Sequence, residues 1–258
     1  PHLDIEAYEE SLDELDPQQY AWIAKGSWDD IQPGGFFDQS NFVYIDEVPP
    51  LGPMQLVRFW DFAGGKKAKK GGDFTASCLM GAVMEPGDLS KGIKPGLLCY
   101  VLDVTEDRLP AGDVPGHVAL QAAEDTRHVA VRWEEEGGSS GAIASEKAVK
   151  PELLGFDADG IRSTGSKQER ARPFAARVSR RKIFVLKREW TKKWADQHHR
   201  FPAVEHDDMV DATSGAYNWL TENAIGAPRI HRAAVGVTSS LTARTRFSSR
   251  EERRGRYG

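Results

Sequence analysis

The sequence predicts a mixed α/β domain in which an antiparallel meander passes into β/α alternation, with helices flanking the sheet. Three observations lead there. Residues 55–62, 73–84 and 97–104 are consecutive runs rich in β-branched, aromatic and other apolar residues, parted by Gly- and Pro-containing turns. From residue 113 onward, extended and helical patterns alternate. At 258 residues the chain holds one large domain, or a domain with an extension.

In chain order, Ile5 to Leu12 and Pro17 to Ile23 read as two short helices separated by the Asp16-Pro17 break. Tyr20, Trp22, Trp28, Phe36 and Phe37 call for burial, so residues 1–50 form an acidic lead-in packed against a main domain at 51–225. The first three strands follow one another with turns between, the mark of a meander. A helix is expected over 113–125, a strand over 128–134, and a second helix after the Gly137–Gly141 turn. A short extended piece near 158–163 precedes a helix over 166–180 and a strand over 182–186. Helices near 189–199 and 208–223 close the domain. Residues 226–258 lose periodicity and hold eight Arg against two Glu, which reads as a basic, mostly disordered tail.

The net charge of -5 conceals an asymmetry. Residues 1–50 carry 12 Asp and Glu against one Lys; the rest carries 33 Lys and Arg against 27 Asp and Glu. A mildly basic body with acidic clusters suits a polyanion held near a metal better than the overall charge suggests. No apolar run has the length of a bilayer span, and no basic segment followed by an apolar core opens the chain. Cys78 and Cys99 fall in predicted strands, outside any zinc-binding spacing, and are expected to be buried free thiols in a reducing compartment. No Gly-x-x-x-x-Gly-Lys-Ser/Thr loop occurs, so this chain is not expected to hydrolyse ATP.

Three acidic features carry the chemistry. Leu56 to Phe62 is an apolar strand that ends on Asp61 and breaks into Gly64-Gly65. A carboxylate there needs a cation, a hydrogen-bond network or a metal. Glu134-Glu135-Glu136 ends another strand, along which His128, Ala130, Arg132, Glu134 and Glu136 share one face. Glu136, last before the glycine turn, is the best placed of the three. His206-Asp207-Asp208-Met209-Val210-Asp211 opens a helix. One aspartate serves as N-cap. Asp208 and Asp211, three apart, share a face near the positive end of the helix dipole. Crowded carboxylates repel unless a cation neutralises them. An all-oxygen set points to Mg²⁺ or Mn²⁺, and two such ions about 3.5–4 Å apart would clamp an in-line phosphoryl displacement. Each feature also has a plainer reading, as a salt-bridged residue, a solvated strand end or a cap; His206 reads first as a structural histidine. Lys66, Lys67, Lys69 and Lys70 form either a solvated loop or a phosphate contact. Ser166 and Glu169 make a capping box, which projects Lys167 and Arg170, and less surely Arg172, from a helix N-terminus suited to a DNA backbone.

These motifs, in this order, resemble the C-terminal nuclease domain of the large terminase subunit of tailed bacteriophages. The resemblance runs from about Tyr8 to Leu220. It is carried by Gly26-Ser27-Trp28, by Trp60-Asp61 with residues 71–76, by Glu136 to Gly141, by Gly165-Ser166-Lys167 with Arg170-Ala171, and by His206 to Ala212. It implies a ribonuclease H-like fold related to Holliday-junction resolvases, and a divalent-metal-dependent endodeoxyribonuclease. Asp61, Glu136 and an aspartate of the last cluster would bind the catalytic ions, with Asp208 and Asp211 both open, Asp207 beside them and Asp73 as an accessory. The implied substrate is concatemeric double-stranded viral DNA, cut at the start and end of packaging. The implied partners are a packaging ATPase domain, a small terminase subunit and the portal of a procapsid, in the host cytoplasm. The ATPase domain that normally precedes this one is not in the chain. A resolvase-like nuclease of the same fold, and a non-catalytic DNA-docking module, are the alternatives.

Overall fold

The computed structural model describes residues 36–48, 54–62, 74–85, 96–135 and 142–224. The expected helices within 5–24, the lysine loop and the basic tail lie outside them.

The meander forms as the sequence predicts. Strands β2 (Gln55–Asp61), β3 (Thr75–Glu85) and β4 (Gly96–Asp107) pair antiparallel in succession. Helix α1 (Val114–Asp125) then leads to β5 (Val129–Glu135), which pairs parallel with β2. Helix α2 (Ala142–Glu152) leads to β6 (Ala158–Arg162), parallel to β5. Helix α3 (Lys167–Ser179) leads to β7 (Ile183–Leu186), parallel to β4, and α4 (Thr191–Arg200) and α5 (Asp208–Ala224) follow. A three-residue strand β1 (Val43–Ile45), which the sequence reading did not expect, adds in parallel to β7. The sheet order is β1-β7-β4-β3-β2-β5-β6. Only β3 runs against its neighbours, which gives the mixed α/β sheet that the sequence implied.

Alternation along β2 gives the sheet its two faces. Val57 and Phe59 enter a large core with Cys78, Met80, Val101 and residues of α3, α4 and α5. Trp60 and Phe62 point the other way, into a smaller core with Val114, Val118 and Ala122 of α1, Trp133 of β5 and Val149 of α2. Those α1 residues recur every fourth position, so one face of the helix is apolar. Both cysteines are free and buried, as expected, and burial pushes each thiol up to about 12.

Arg58, between Val57 and Phe59, is 1% exposed. Burying a guanidinium requires that its donors be met. Its Nε and Nη2 donate to Asp125 at the end of α1, Nη2 also to Asp103 of β4 at 2.9 Å, and Nη1 to Ser77 Oγ of β3 at 2.9 Å. One side chain therefore ties three strands to a helix.

Candidate functional site

Strands β2 and β5 run parallel and end at the same edge of the sheet. Ligand crevices in open α/β sheets form at such carboxyl ends. Asp61 is the last residue of β2, on the Phe59 face. The pair Trp60 and Trp133 is in register, so one step further Asp61 comes level with Glu134 of β5. Helix α5 lies across this face and presents its first turn, with Asp208 and Asp211, to the same point. Its approach to β2 requires Gly215: a Cβ there would stand 2.3 Å from the Phe59 ring.

The turn that starts α5 is fixed by a residue the sequence did not single out. The backbone N–H groups of Met209 and Val210 donate to Gln197 Oε1 of α4 at 2.8 and 3.2 Å. Gln197 thus satisfies donors that a helix start leaves open. Asp207, relieved of that work, turns its side chain to Lys167.

Helix α3 arrives from the other side. Ser166 caps it through the expected capping box: Ser166 Oγ accepts from Glu169 N, and Glu169 Oε2 accepts from Ser166 N. Gly165, at φ +84°, makes the preceding turn. The helix start carries Lys167 and Arg170 onto the carboxylates. Lys167 Nζ lies 2.6 Å from Asp207 Oδ1 and 2.5 Å from Asp211 Oδ2. Arg170 Nη2 lies 3.1 Å from Glu134 Oε2 and 3.4 Å from Asp211 Oδ1. A cavity of about 160 Å³ opens beside them, lined by Glu134, Arg170, Asp211, Ser163, Thr164 and Phe59.

The electrostatics match the crowding. Burial, then the charges of Asp211, Asp208 and Glu134, hold the half-buried Asp61 carboxyl well above the ordinary range, with Lys167 opposing. Burial raises Asp208 to about 6, and Glu106 and Asp207 add to it. Glu134 and Asp211 are raised as well, first by burial. Burial works against the Lys167 ammonium, but Asp211 and Asp207 outweigh it, so the amine stays protonated beyond the usual lysine range. Asp208 Oδ2 is buried and accepts no hydrogen bond; His206 Nδ1, at 3.9 Å, is too far to donate. The His206 ring packs edge-on against Phe74 at 5.0 Å.

Of the residues singled out in the sequence, Asp61, Asp207, Asp208, Asp211, Lys167 and Arg170 thus meet at one place. Glu136, Asp73, Lys66, Lys67, Lys69 and Lys70 lie outside the described residues. The carboxylate that β5 contributes among the described residues is Glu134, two positions before Glu136 on the same face. Among the described residues no three His, Cys, Asp or Glu side chains already form a metal-holding group. Lys167 and Arg170 draw the carboxylates onto themselves instead. The residues nonetheless fit a hard divalent cation: the donors are all oxygens, one buried oxygen is unmatched, and a cation already sits between two of the others.

No family model matches the chain, and no curated protein matches it. Solved structures do. The large terminase nuclease from thermophilic phage G20c aligns over 70% of this chain and 95% of its own, at 14% identity and a TM-score of 0.43. The same nuclease with bound magnesium aligns over 74% and 98%, at the same identity and score. The human cytomegalovirus terminase nuclease domain, manganese-soaked and inhibitor-bound, aligns over 66% and 83%, at 12% identity and a TM-score of 0.44.

Proposed function

We propose that the chain is a divalent-metal-dependent endonuclease that cuts double-stranded DNA. The observation that carries the reading is the convergence of Asp61, Glu134, Asp208 and Asp211, from two parallel strand ends and one helix start, around a buried oxygen with no partner. Carboxylates so placed repel one another. They are the residues that would hold Mg²⁺ or Mn²⁺, with Asp207 adjoining; Glu136 stays a candidate through the motif resemblance. When bound, the ions supply Lewis acidity, lowering the pKa of an attacking water and stabilising charge on the leaving oxygen.

The protein's own residues set the geometry. Arg170 donates to both Glu134 and Asp211 and so fixes a strand carboxylate against a helix carboxylate. The Asn218 amide of α5 donates to the Arg170 carbonyl at 2.9 Å, which locks α3 to α5. Gln197 sets the pitch of the turn that carries Asp208 and Asp211. A site assembled this way needs little rearrangement of backbone when substrate arrives.

From the motif resemblance we further propose the biological setting: cleavage of concatemeric viral DNA during packaging, beside an ATPase domain, a small terminase subunit and the procapsid portal, in the host cytoplasm. The test of the chemistry is relaxation of supercoiled plasmid with Mg²⁺, Mn²⁺ or EDTA, using wild type and Asp61→Asn. Cutting that needs the ion and disappears in the variant is the expected result. Absence of cutting with every ion, together with retained DNA binding, would favour the docking module. Preference for branched over linear duplex would favour a resolvase.

A further inference from the structure

We propose that Lys167 is a built-in counter-cation of the carboxylate cluster: its ammonium holds Asp207 and Asp211 until a divalent ion takes them, so that ammonium and ion bind in competition. The inference rests on the metal reading above.

The geometry carries it. Lys167 Nζ stands 2.6 Å from Asp207 Oδ1 and 2.5 Å from Asp211 Oδ2. Hard divalent cations bind carboxylate oxygens at about 2.0–2.6 Å. An ion on Asp211 and an ammonium on the same carboxylate would be like charges a few ångströms apart in a partly desolvated place, which strongly disfavours holding both. One must leave.

The two cations of the site differ in which can leave. The Arg170 side chain is only 20% exposed and bonds to Glu134 and Asp211, while its backbone carbonyl accepts from Asn218. Lys167 is 49% exposed, and its ammonium contacts these two carboxylates. Its backbone is pinned as the first residue of α3 by the capping box, while its stem has four flexible carbons with water on one side. It can swing out without disturbing the helix. Charge balance points the same way. Among the described residues, Asp61, Glu134, Asp207, Asp208 and Asp211 are five acids facing the side-chain cations Lys167 and Arg170, so loss of Lys167 leaves the metal-free cluster more crowded with negative charge. Divalent charge, when present, relieves that crowding in its place.

The experiment uses the full chain. Mn²⁺ binding is measured by calorimetry, and thermal unfolding is followed with Mn²⁺ or EDTA, for wild type, Lys167→Met and Lys167→Arg. Lys167→Met removes the charge and keeps the stem. It should bind Mn²⁺ about tenfold more tightly, melt lower than wild type in EDTA, and gain more on adding Mn²⁺. Lys167→Arg should stay near wild type. In parallel, acylation of Lys167 in the wild-type protein is followed by mass spectrometry, and should be faster with Mn²⁺ than with EDTA. This second measurement holds even if Lys167→Met fails to fold. Equal or weaker Mn²⁺ binding by a folded Lys167→Met, or acylation indifferent to Mn²⁺, overturns the competition while leaving the metal site standing. Wild type that binds no divalent ion at all overturns both.

Discussion

Asp208 has a carboxylate oxygen that is buried, accepts no hydrogen bond, and belongs to a group raised by burial to about 6. A metal takes the ionised form, so protons compete with it. Divalent affinity should therefore climb as pH rises to about 6 and level off above, falling below that point by about tenfold per pH unit for each proton displaced. Calorimetric Mn²⁺ titration between pH 5 and 8 checks it; a flat profile would take Asp208 out of the ligand set. The sign for stability is opposite. The folded-state value lies above the ordinary 3.8, so the folded protein holds the proton more tightly than the unfolded chain. This group's contribution is thus greatest below about pH 4 and is lost as pH rises through about 6. Asp61 follows the same logic, being raised by burial and by neighbouring acids. Asp61→Asn should abolish plasmid cutting yet raise the melting temperature of the metal-free protein, since it removes one member of a repelling group. A variant that is both inactive and less stable would instead make Asp61 a structural acceptor. On β5, Glu134→Gln and Glu136→Gln should separate the two candidates: the ligand's variant loses Mn²⁺ affinity and cutting together.

Helix α5 sets how closely its two aspartates approach the strands, and Gly215 sets α5. A methyl there would meet the Phe59 ring at 2.3 Å, and that ring is buried in the core with little freedom to turn. Gly215→Ala should cost about 1–3 kcal/mol in denaturant unfolding, the usual scale for overpacking. It should also lower cutting by shifting Asp211. An unchanged midpoint would mean that α5 slides freely on the sheet. The sequence made much of this element legible. Apolar residues at helical spacing, acidic residues in the first turn and the capping box of α3 are local signals, and each appears where it was expected. What was not legible depends on partners distant in the chain. Gln197 caps α5 at Met209 from twelve residues upstream through a side chain that no spacing rule marks. Three-residue β1 has too few positions to show a period and exists through β7, about 140 residues on. Glu134 and Glu136 share a face by period two. Only the register between β2 and β5 brings Glu134 level with Asp61, and register is a property of the pair of strands.

Across the whole molecule, β2 separates two charge networks with opposite physical characters. On its α1 face, Arg58 meets Asp125, Asp103 and Ser77, and each of its three nitrogens has a partner. On its α5 face, Asp61 meets further acids, with Lys167 and Arg170 to offset them among the described residues. The first network holds strands β2, β3 and β4 to α1; the second keeps a surplus of negative charge at the sheet's edge. A surplus of that kind requires a frame that does not yield, so the two should be separable by mutation. Arg58→Met leaves Asp125, whose side chain is 6% exposed, without its cation. Removing one partner of a buried pair costs about 3–5 kcal/mol, and a loss of that size is expected in denaturant unfolding. Mn²⁺ affinity should stay within about twofold of wild type under conditions where the variant is folded, because Arg58 does not face the acidic cluster. Pairing the change with Asp125→Leu should recover most of the loss, since the isolated charge goes with it and an apolar pair can fill the space. If Arg58→Met instead lowered Mn²⁺ affinity at unchanged stability, the two faces of β2 would be one network. The carboxylate surplus would then be balanced through the strand rather than by Lys167 and Arg170.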